Sequence, residues 1–176
     1  NECATKSRMR PEILKIVIDF FCRDQDDIEF IWHGGEPLLA GLDFYRKVVE
    51  IQYVWKQQGK KITNFLQTNA TLITPEWVNF FAENDFLVGV SLDGPKTFHD
   101  QVRHYPNGKG SYDDVVRGIN LLYQAEIFNG IICGISTVNH RFPKEIFNFF
   151  IAKNIKKLKF AKVKSIGHCK DVSSLV

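Results

Sequence analysis

A parallel α/β fold, with helices covering a sheet, is the class this sequence predicts, and three observations predict it. Apolar residues recur alternately at helical and at strand spacing along the whole chain. The breaks between these segments are short, with no linker-like or low-complexity stretch. Successive strands separated by helices must be joined by crossovers, which makes neighbouring strands parallel. A chain of 176 residues, 44% apolar and 24% charged with fifteen Phe, can enclose one substantial core, and neither disorder nor a collagen-like fibre suits that composition.

The first helix starts near Pro11, carries Ile13, Leu14, Ile16, Val17, Phe20 and Phe21, and stops before the acidic turn Asp24 to Asp27. Strand Ile28 to Trp32 follows. The next helix runs from about Asp43 to Gln58, with Phe44, Val48, Ile51 and Trp55 on one stripe and Gly59 as its C-terminal stop. Strand Ile62 to Leu66 leads to the clearest helix start in the chain, Thr74 as N-cap with Pro75 at the first helical position. That helix ends near Asn84, before strand Phe86 to Ser91. After a polar loop with Pro106, Gly108 and Gly110, Ser111 and Asp114 form a capping-box pattern that opens a helix through Leu122. Strand Ile131 to Thr137, a helix from Pro143 to Lys153 and strand Leu158 to Val163 complete the series. In the last strand, Lys157, Lys159 and Lys162 alternate with Leu158, Phe160 and Val163, the pattern of a strand with one wet face. Periodicity leaves two architectures open, a curved barrel and an open doubly wound sheet; both place a ligand at the C-terminal ends of the strands.

Bulk properties exclude several functions. A formal charge of +3, with Lys and Arg evenly spread, does not make a nucleic-acid surface. No apolar run reaches the roughly 18 residues of a membrane span and no signal peptide is visible, so the expected location is the cytoplasm, with no membrane partner. Cys3, Cys22, Cys133 and Cys169 are scattered, and by spacing they specify no metal site. Cys22 and Cys133 lie in apolar runs and read as small buried hydrophobes; Cys3 and Cys169 stay open.

The strand ends carry the polar residues. The first strand runs into His33-Gly34-Gly35-Glu36-Pro37, where two glycines admit another molecule close to the backbone and Glu36 offers a carboxylate. A tight turn with an exposed acid explains the motif equally well. The next strands end in Gln67-Thr68-Asn69, in Ser91-Leu92-Asp93-Gly94-Pro95 and in Ser136-Thr137-Val138-Asn139. Turn chemistry accounts for many of these residues one at a time. It does not account for their convergence on one edge of a sheet, which favours a site for a polar small molecule. His99, Asp100 and Arg103 read either as a surface turn with an Asp–Arg pair or with Arg103 as a two-pronged donor to a carboxylate at the site mouth.

Three blocks in order, Phe30 to Leu39, Gln67 to Ile73, and Ser91 to Pro95 followed by His99, Asp100 and Arg103, resemble the radical SAM enzymes. Within that family they are most similar to the group of anaerobic sulfatase-maturating enzymes and SPASM-type peptide maturases. The resemblance implies a partial (β/α)6 barrel, incomplete at its N-terminus, with residues 1–164 as core and 165–176 as the start of a C-terminal extension. It also implies S-adenosyl-L-methionine as cofactor. Gly34, Gly35 and Glu36 would then meet its amino group, Ser91 and Arg103 its ribose and carboxylate region, Gln67 and Asn69 would line the cavity, and Lys164 would lie near the adenosine. No catalytic residue is assigned.

The implied reaction is reductive cleavage of S-adenosylmethionine to a 5′-deoxyadenosyl radical, which abstracts hydrogen from a peptide or protein substrate, with electrons from a flavodoxin or ferredoxin. It needs a [4Fe-4S] cluster on a CxxxCxxC loop, and the chain contains no such loop. Its ligands are expected before Asn1, Cys3 cannot replace them alone, and the chain by itself is expected to be inactive. The alternative is a degenerate barrel without a cluster, serving as a peptide-binding or scaffolding module. A flavodoxin-like nucleotide-binding domain fits less well, for the chain has neither G-x-G-x-x-G nor a P-loop.

Overall fold

The structure is a computed structural model that describes residues 9–163. Cys3, Lys164, Cys169 and the extension expected at 165–176 lie outside the described residues. The element order is α1 (Pro11–Asp24), β1 (Asp27–Trp32), a 3-10 turn (Pro37–Ala40), α2 (Leu42–Lys56), β2 (Lys61–Thr68), α3 (Pro75–Glu83) and β3 (Phe86–Ser91). Then follow α4 (Lys96–Val102), α5 (Tyr112–Gln124), β4 (Phe128–Ile135), α6 (Pro143–Ala152) and β5 (Leu158–Lys162). Among the described residues no helix is long and apolar enough to cross a membrane.

The five strands pair in parallel in the order β1-β2-β3-β4-β5. This order resolves the choice of architecture that periodicity left open. A doubly wound sheet reverses its strand order at a switch point, whereas here the winding never reverses, which is the sequence of a barrel. Burial agrees. In β2, Ile62, Asn64, Leu66 and Thr68 are buried under helices, while Thr63, Phe65 and Gln67 on the other face are only half-buried. Strand β3 repeats the alternation with Phe86, Val88 and Val90 buried and Leu87, Gly89 and Ser91 half-buried. The helices therefore cover one face, and the other is the open inner wall of a partial barrel.

The core under the helices is aromatic and holds the first strand end in place. Tyr45 lies edge-on to Trp32, Trp77, Phe81 and Phe86 at centroid distances of 5.7 to 6.2 Å, the arrangement that ring quadrupoles favour. Its hydroxyl donates to the Pro37 carbonyl at 3.2 Å, which fastens the turn after Glu36 to the core. Burial, with the nearby Glu36 charge, raises the Tyr45 pKa, so this donor stays protonated. A buried polar trio fixes β1, β2 and α2 against each other. Gln52 and Asn64 exchange two hydrogen bonds of 3.0 and 2.8 Å, and Trp32 Nε1 donates to the same Asn64 oxygen at 2.9 Å. Every partner is satisfied, so the trio specifies register without leaving an orphaned group.

Four local expectations change. Strand β4 starts at Phe128 and ends at Ile135, because the backbone beyond it turns around Asn139, whose Oδ1 accepts from Ser136 N at 2.9 Å. Ser111 stands at the N-cap of α5 but does not cap it; its hydroxyl donates to Arg103 O at 2.9 Å, and Asp114 accepts from the Tyr105 hydroxyl at 3.0 Å. Residues 96–102 form a helix whose Phe98 and His99 are buried, so this is not a surface turn. The last strand has no dry face, since Phe160 is exposed along with Lys159 and Lys162: among the described residues this strand pairs with β4 alone.

The N-cap of α3 is as expected, with Thr74 Oγ1 accepting from Trp77 N at 3.4 Å. The bond is long, so Thr74→Ala is expected to lower unfolding stability by about 0.5–1 kcal/mol, the lower part of the capping range. Urea denaturation checks this; a loss above about 2 kcal/mol would mean that Thr74 does more than cap.

Candidate functional site

All the polar strand ends meet at the C-terminal edge of the sheet, as parallel pairing requires. The backbone after β1 turns through Gly34 at φ +105° and Gly35 at φ +56°. A side chain rarely adopts these values, and apart from the adjoining residues no atom of the described residues lies within 4 Å of where either Cβ would sit. It is backbone conformation, not crowding, that calls for glycine here, and it leaves that side of the turn open.

Glu36 is held from three directions. Its Oε1 accepts from Leu38 N at 3.0 Å and from the Thr68 hydroxyl at 2.7 Å, and its Oε2 accepts from Asn69 N at 2.8 Å. The turn thereby docks onto the end of β2 and the carboxylate is fixed before any ligand arrives. Thr68, which the sequence shows only as one polar residue at a strand end, is central to this cradle: buried, it also accepts Ala70 N at 2.9 Å. Ala70 itself is fully buried at φ +60°, a left-handed conformation that costs a non-glycine residue energy. Asn69 contributes its backbone N–H to Glu36, while its side-chain oxygen accepts from Thr71 N and the Thr71 hydroxyl.

The next pair lies on the inner wall. Gln67 Nε2 donates to Ser91 Oγ at 3.2 Å, reaching across β3 over Gly89. A Cβ on Gly89 would sit 2.3 Å from the Gln67 Oε1, so the bare backbone at Gly89 is what lets Gln67 lie flat towards Ser91.

The third cluster surrounds Arg103. Its Nε donates to Asp93 Oδ2 at 2.6 Å and its Nη2 to Asp93 Oδ1 at 3.3 Å, so its carboxylate partner is Asp93 and not Asp100. Asp100 instead accepts from Tyr112 N at 2.9 Å, at the first turn of α5. The Asp93 side chain is 4% exposed and that of Arg103 34% exposed, so the acid is buried behind a partly exposed arginine. Nothing in the spacing singled out Asp93, which reads as a turn residue before Gly94-Pro95; only β4 packing beside it reveals its role.

The described residues do not hold a metal cluster. They contain no grouping of three or more His, Cys, Asp or Glu arranged to ligate an ion. Cys22 and Cys133 are both buried free thiols. Burial, joined by the Asp93 charge, pushes the Cys133 thiol up to about 12, and burial raises that of Cys22, so neither is a thiolate near neutral pH. The residues that are brought together, a fixed carboxylate, a bare turn, a hydroxyl–amide pair and a partly exposed arginine, suit a zwitterionic ligand with further polar groups.

A family model described as the radical SAM superfamily matches residues 5–150. The chain is 39% identical over 160 residues to a serine-type anaerobic sulfatase-maturating enzyme of Bacteroides thetaiotaomicron, covering 90% of the chain and 38% of that relative. To a cysteine-type anaerobic sulfatase-maturating enzyme of Clostridium perfringens it is 36% identical over 153 residues, 86% of the chain and 41% of the relative. Among solved structures, native anSMEcpe with bound AdoMet and Kp18Cys peptide superposes with a TM-score of 0.88 at 33% identity, over 97% of the chain and 48% of that structure. The chain thus spans less than half the length of each of these relatives.

Proposed function

The chain belongs to the radical SAM superfamily, and from that membership we propose that it forms the S-adenosylmethionine-binding part of an enzyme that matures a peptide or protein side chain. The observation that supports this best is the convergence of Glu36, Gln67, Ser91 and Arg103 on one edge of a partial barrel. Glu36, pre-set by Thr68 and Asn69, draws in the methionine amino group, and the open Gly34-Gly35 turn lets it approach the backbone. The guanidinium of Arg103 takes the carboxylate. Ser91, aligned by Gln67, meets the ribose. Fixing these groups in advance reduces the ordering cost of binding.

When bound and reductively cleaved, S-adenosylmethionine supplies a carbon-centred radical that takes hydrogen from a substrate carbon. The residues of this chain bind and orient it. The substrate is a peptide presented to the open inner wall, and electrons come from a flavodoxin- or ferredoxin-type donor. The described residues contain no grouping that could ligate a cluster.

The test is release of 5′-deoxyadenosine from S-adenosylmethionine by the anaerobically reconstituted full-length protein, followed chromatographically with and without dithionite. Reductant-dependent release is expected. A full-length protein that binds peptide but neither binds nor cleaves S-adenosylmethionine would replace this reading with that of a scaffolding module.

A further inference from the structure

Arg103 is held by a closed ring of hydrogen bonds that begins and ends on Asp93. The Asp93 backbone N–H donates to His99 Nδ1 at 3.3 Å. That contact assigns the unprotonated position of the imidazole to Nδ1, so the ring proton is on Nε2, which lies 3.0 Å from Ser111 Oγ. The Ser111 hydroxyl in turn donates to the Arg103 carbonyl at 2.9 Å, and the Arg103 side chain returns to the Asp93 carboxylate. Each donor therefore has one direction, and the ring fixes Arg103 by its backbone and by its guanidinium together.

Asp93 is fixed from a further side by the end of β4. Its Oδ1 accepts from Gly134 N at 2.7 Å, and its backbone carbonyl accepts from Asn139 Nδ2 at 3.2 Å. A Cβ on Gly134 would sit 3.1 Å from the same Oδ1, so the bare position lets the carboxylate approach β4 without being pushed back. Asp93, His99, Ser111 and Asn139 are all at most 6% exposed. A pair that served stability alone needs no such orientation, and replacing a buried ion pair by apolar side chains is often neutral. The pair with Asp93 uses Nε and Nη2 of Arg103 and does not engage Nη1, and Asp93 itself follows the end of β3 on the same edge of the sheet as Ser91.

We propose that Asp93, backed by His99, Ser111 and Gly134, is a positioning residue that presents the Nη1 side of Arg103 to the ligand's carboxylate. The inference rests on the reading of this edge as an S-adenosylmethionine site and goes beyond it in saying which residues aim the guanidinium. In Asp93→Asn the amide opposes a nitrogen donor to Arg103 Nε, so the guanidinium loses its fixed orientation while side-chain shape is kept.

The experiment compares two ligands on the full-length protein by calorimetry: S-adenosylmethionine, and 5′-methylthioadenosine, which has no amino-acid carboxylate. Asp93→Asn is expected to weaken S-adenosylmethionine about tenfold or more and Ser111→Ala about threefold, with 5′-methylthioadenosine unchanged in both. Equal weakening of the two ligands would mean a structural role only, and unchanged binding of both would mean that Arg103 needs no clamp; either overturns the proposal. Should Asp93→Asn fail to fold, Ser111→Ala decides by the same ratio. Failure of the unaltered protein to bind S-adenosylmethionine would overturn the reading of the site itself, which is a different result from an unaltered ratio of the two affinities.

Discussion

Glu36→Ala in the full-length protein is expected to abolish 5′-deoxyadenosine release, and Glu36→Gln to weaken S-adenosylmethionine binding about tenfold or more. The carboxylate does two jobs with the same atoms. It accepts from Leu38 N, Thr68 Oγ1 and Asn69 N, so it is the joint between the turn after β1 and the end of β2. Alanine leaves those donors without their partner, at about 1–3 kcal/mol for each one that stays dry, and releases the turn that carries Gly34 and Gly35. Glutamine keeps the size but must place its NH2 opposite Asn69 N–H or opposite the Leu38 N–H and Thr68 hydroxyl, donor against donor. It also removes the negative charge proposed to draw in an amino group. Calorimetry and chromatographic detection of 5′-deoxyadenosine check both variants. A Glu36→Gln protein with unaltered affinity and turnover would remove Glu36 from the site.

Folding stability is expected to fall as pH drops from about 6.5 to about 4, by about 3 kcal/mol in total, through His99 alone. His99 is fully buried, and its pKa is lowered to about 4, first by burial and then by Arg103, against the opposing pull of Asp93 and Asp100. The unfolded chain takes up a proton near the ordinary histidine value of 6.5 while the folded chain does not until about 4. Between these values the unfolded state binds more protons, so stability rises with pH and is fully present above the window. Structure gives the same sign, since a proton on Nδ1 would meet the Asp93 N–H. Carboxylates with lowered pKa, such as Asp26 beside Lys60, contribute a separate loss only below their ordinary value of 3.8. Urea unfolding at several pH values checks the window, and His99→Gln should flatten it. An equal slope in that variant would assign the acid sensitivity elsewhere.

The two predictions concern residues that the sequence exposed to very different degrees. Glu36 stood out because two glycines and a carboxylate directly after a strand are a local pattern, readable without knowing what lies beside it. His99 was visible only as one polar residue near Arg103. Its burial, its tautomer and its link to Ser111 depend on α4 packing against α5, a contact between segments with no shared period. The same holds for Asp100, the nearest acid in sequence to Arg103, which lost to Asp93. The guanidinium reaches back to the strand end, and α4 carries Asp100 towards Tyr112 instead. Ser111 matched a capping pattern, yet its hydroxyl met a nearer acceptor in Arg103 O.

By itself the sequence determined the alternation of helices and strands, the parallel class, the edge on which polar residues gather and, through three ordered blocks, the family. These are properties of local spacing and residue type, since side-chain period and turn chemistry act within a few residues. Tertiary structure alone decided that the strand order never reverses, that Thr68 rather than the Asn69 side chain braces Glu36, and that Arg103 answers to Asp93. A hydroxyl, carboxylate or guanidinium can satisfy its hydrogen bonds with many partners of equal chemistry. Which one it takes is set by distance and direction in the packed molecule, and the spacing of residues along a chain does not carry that information.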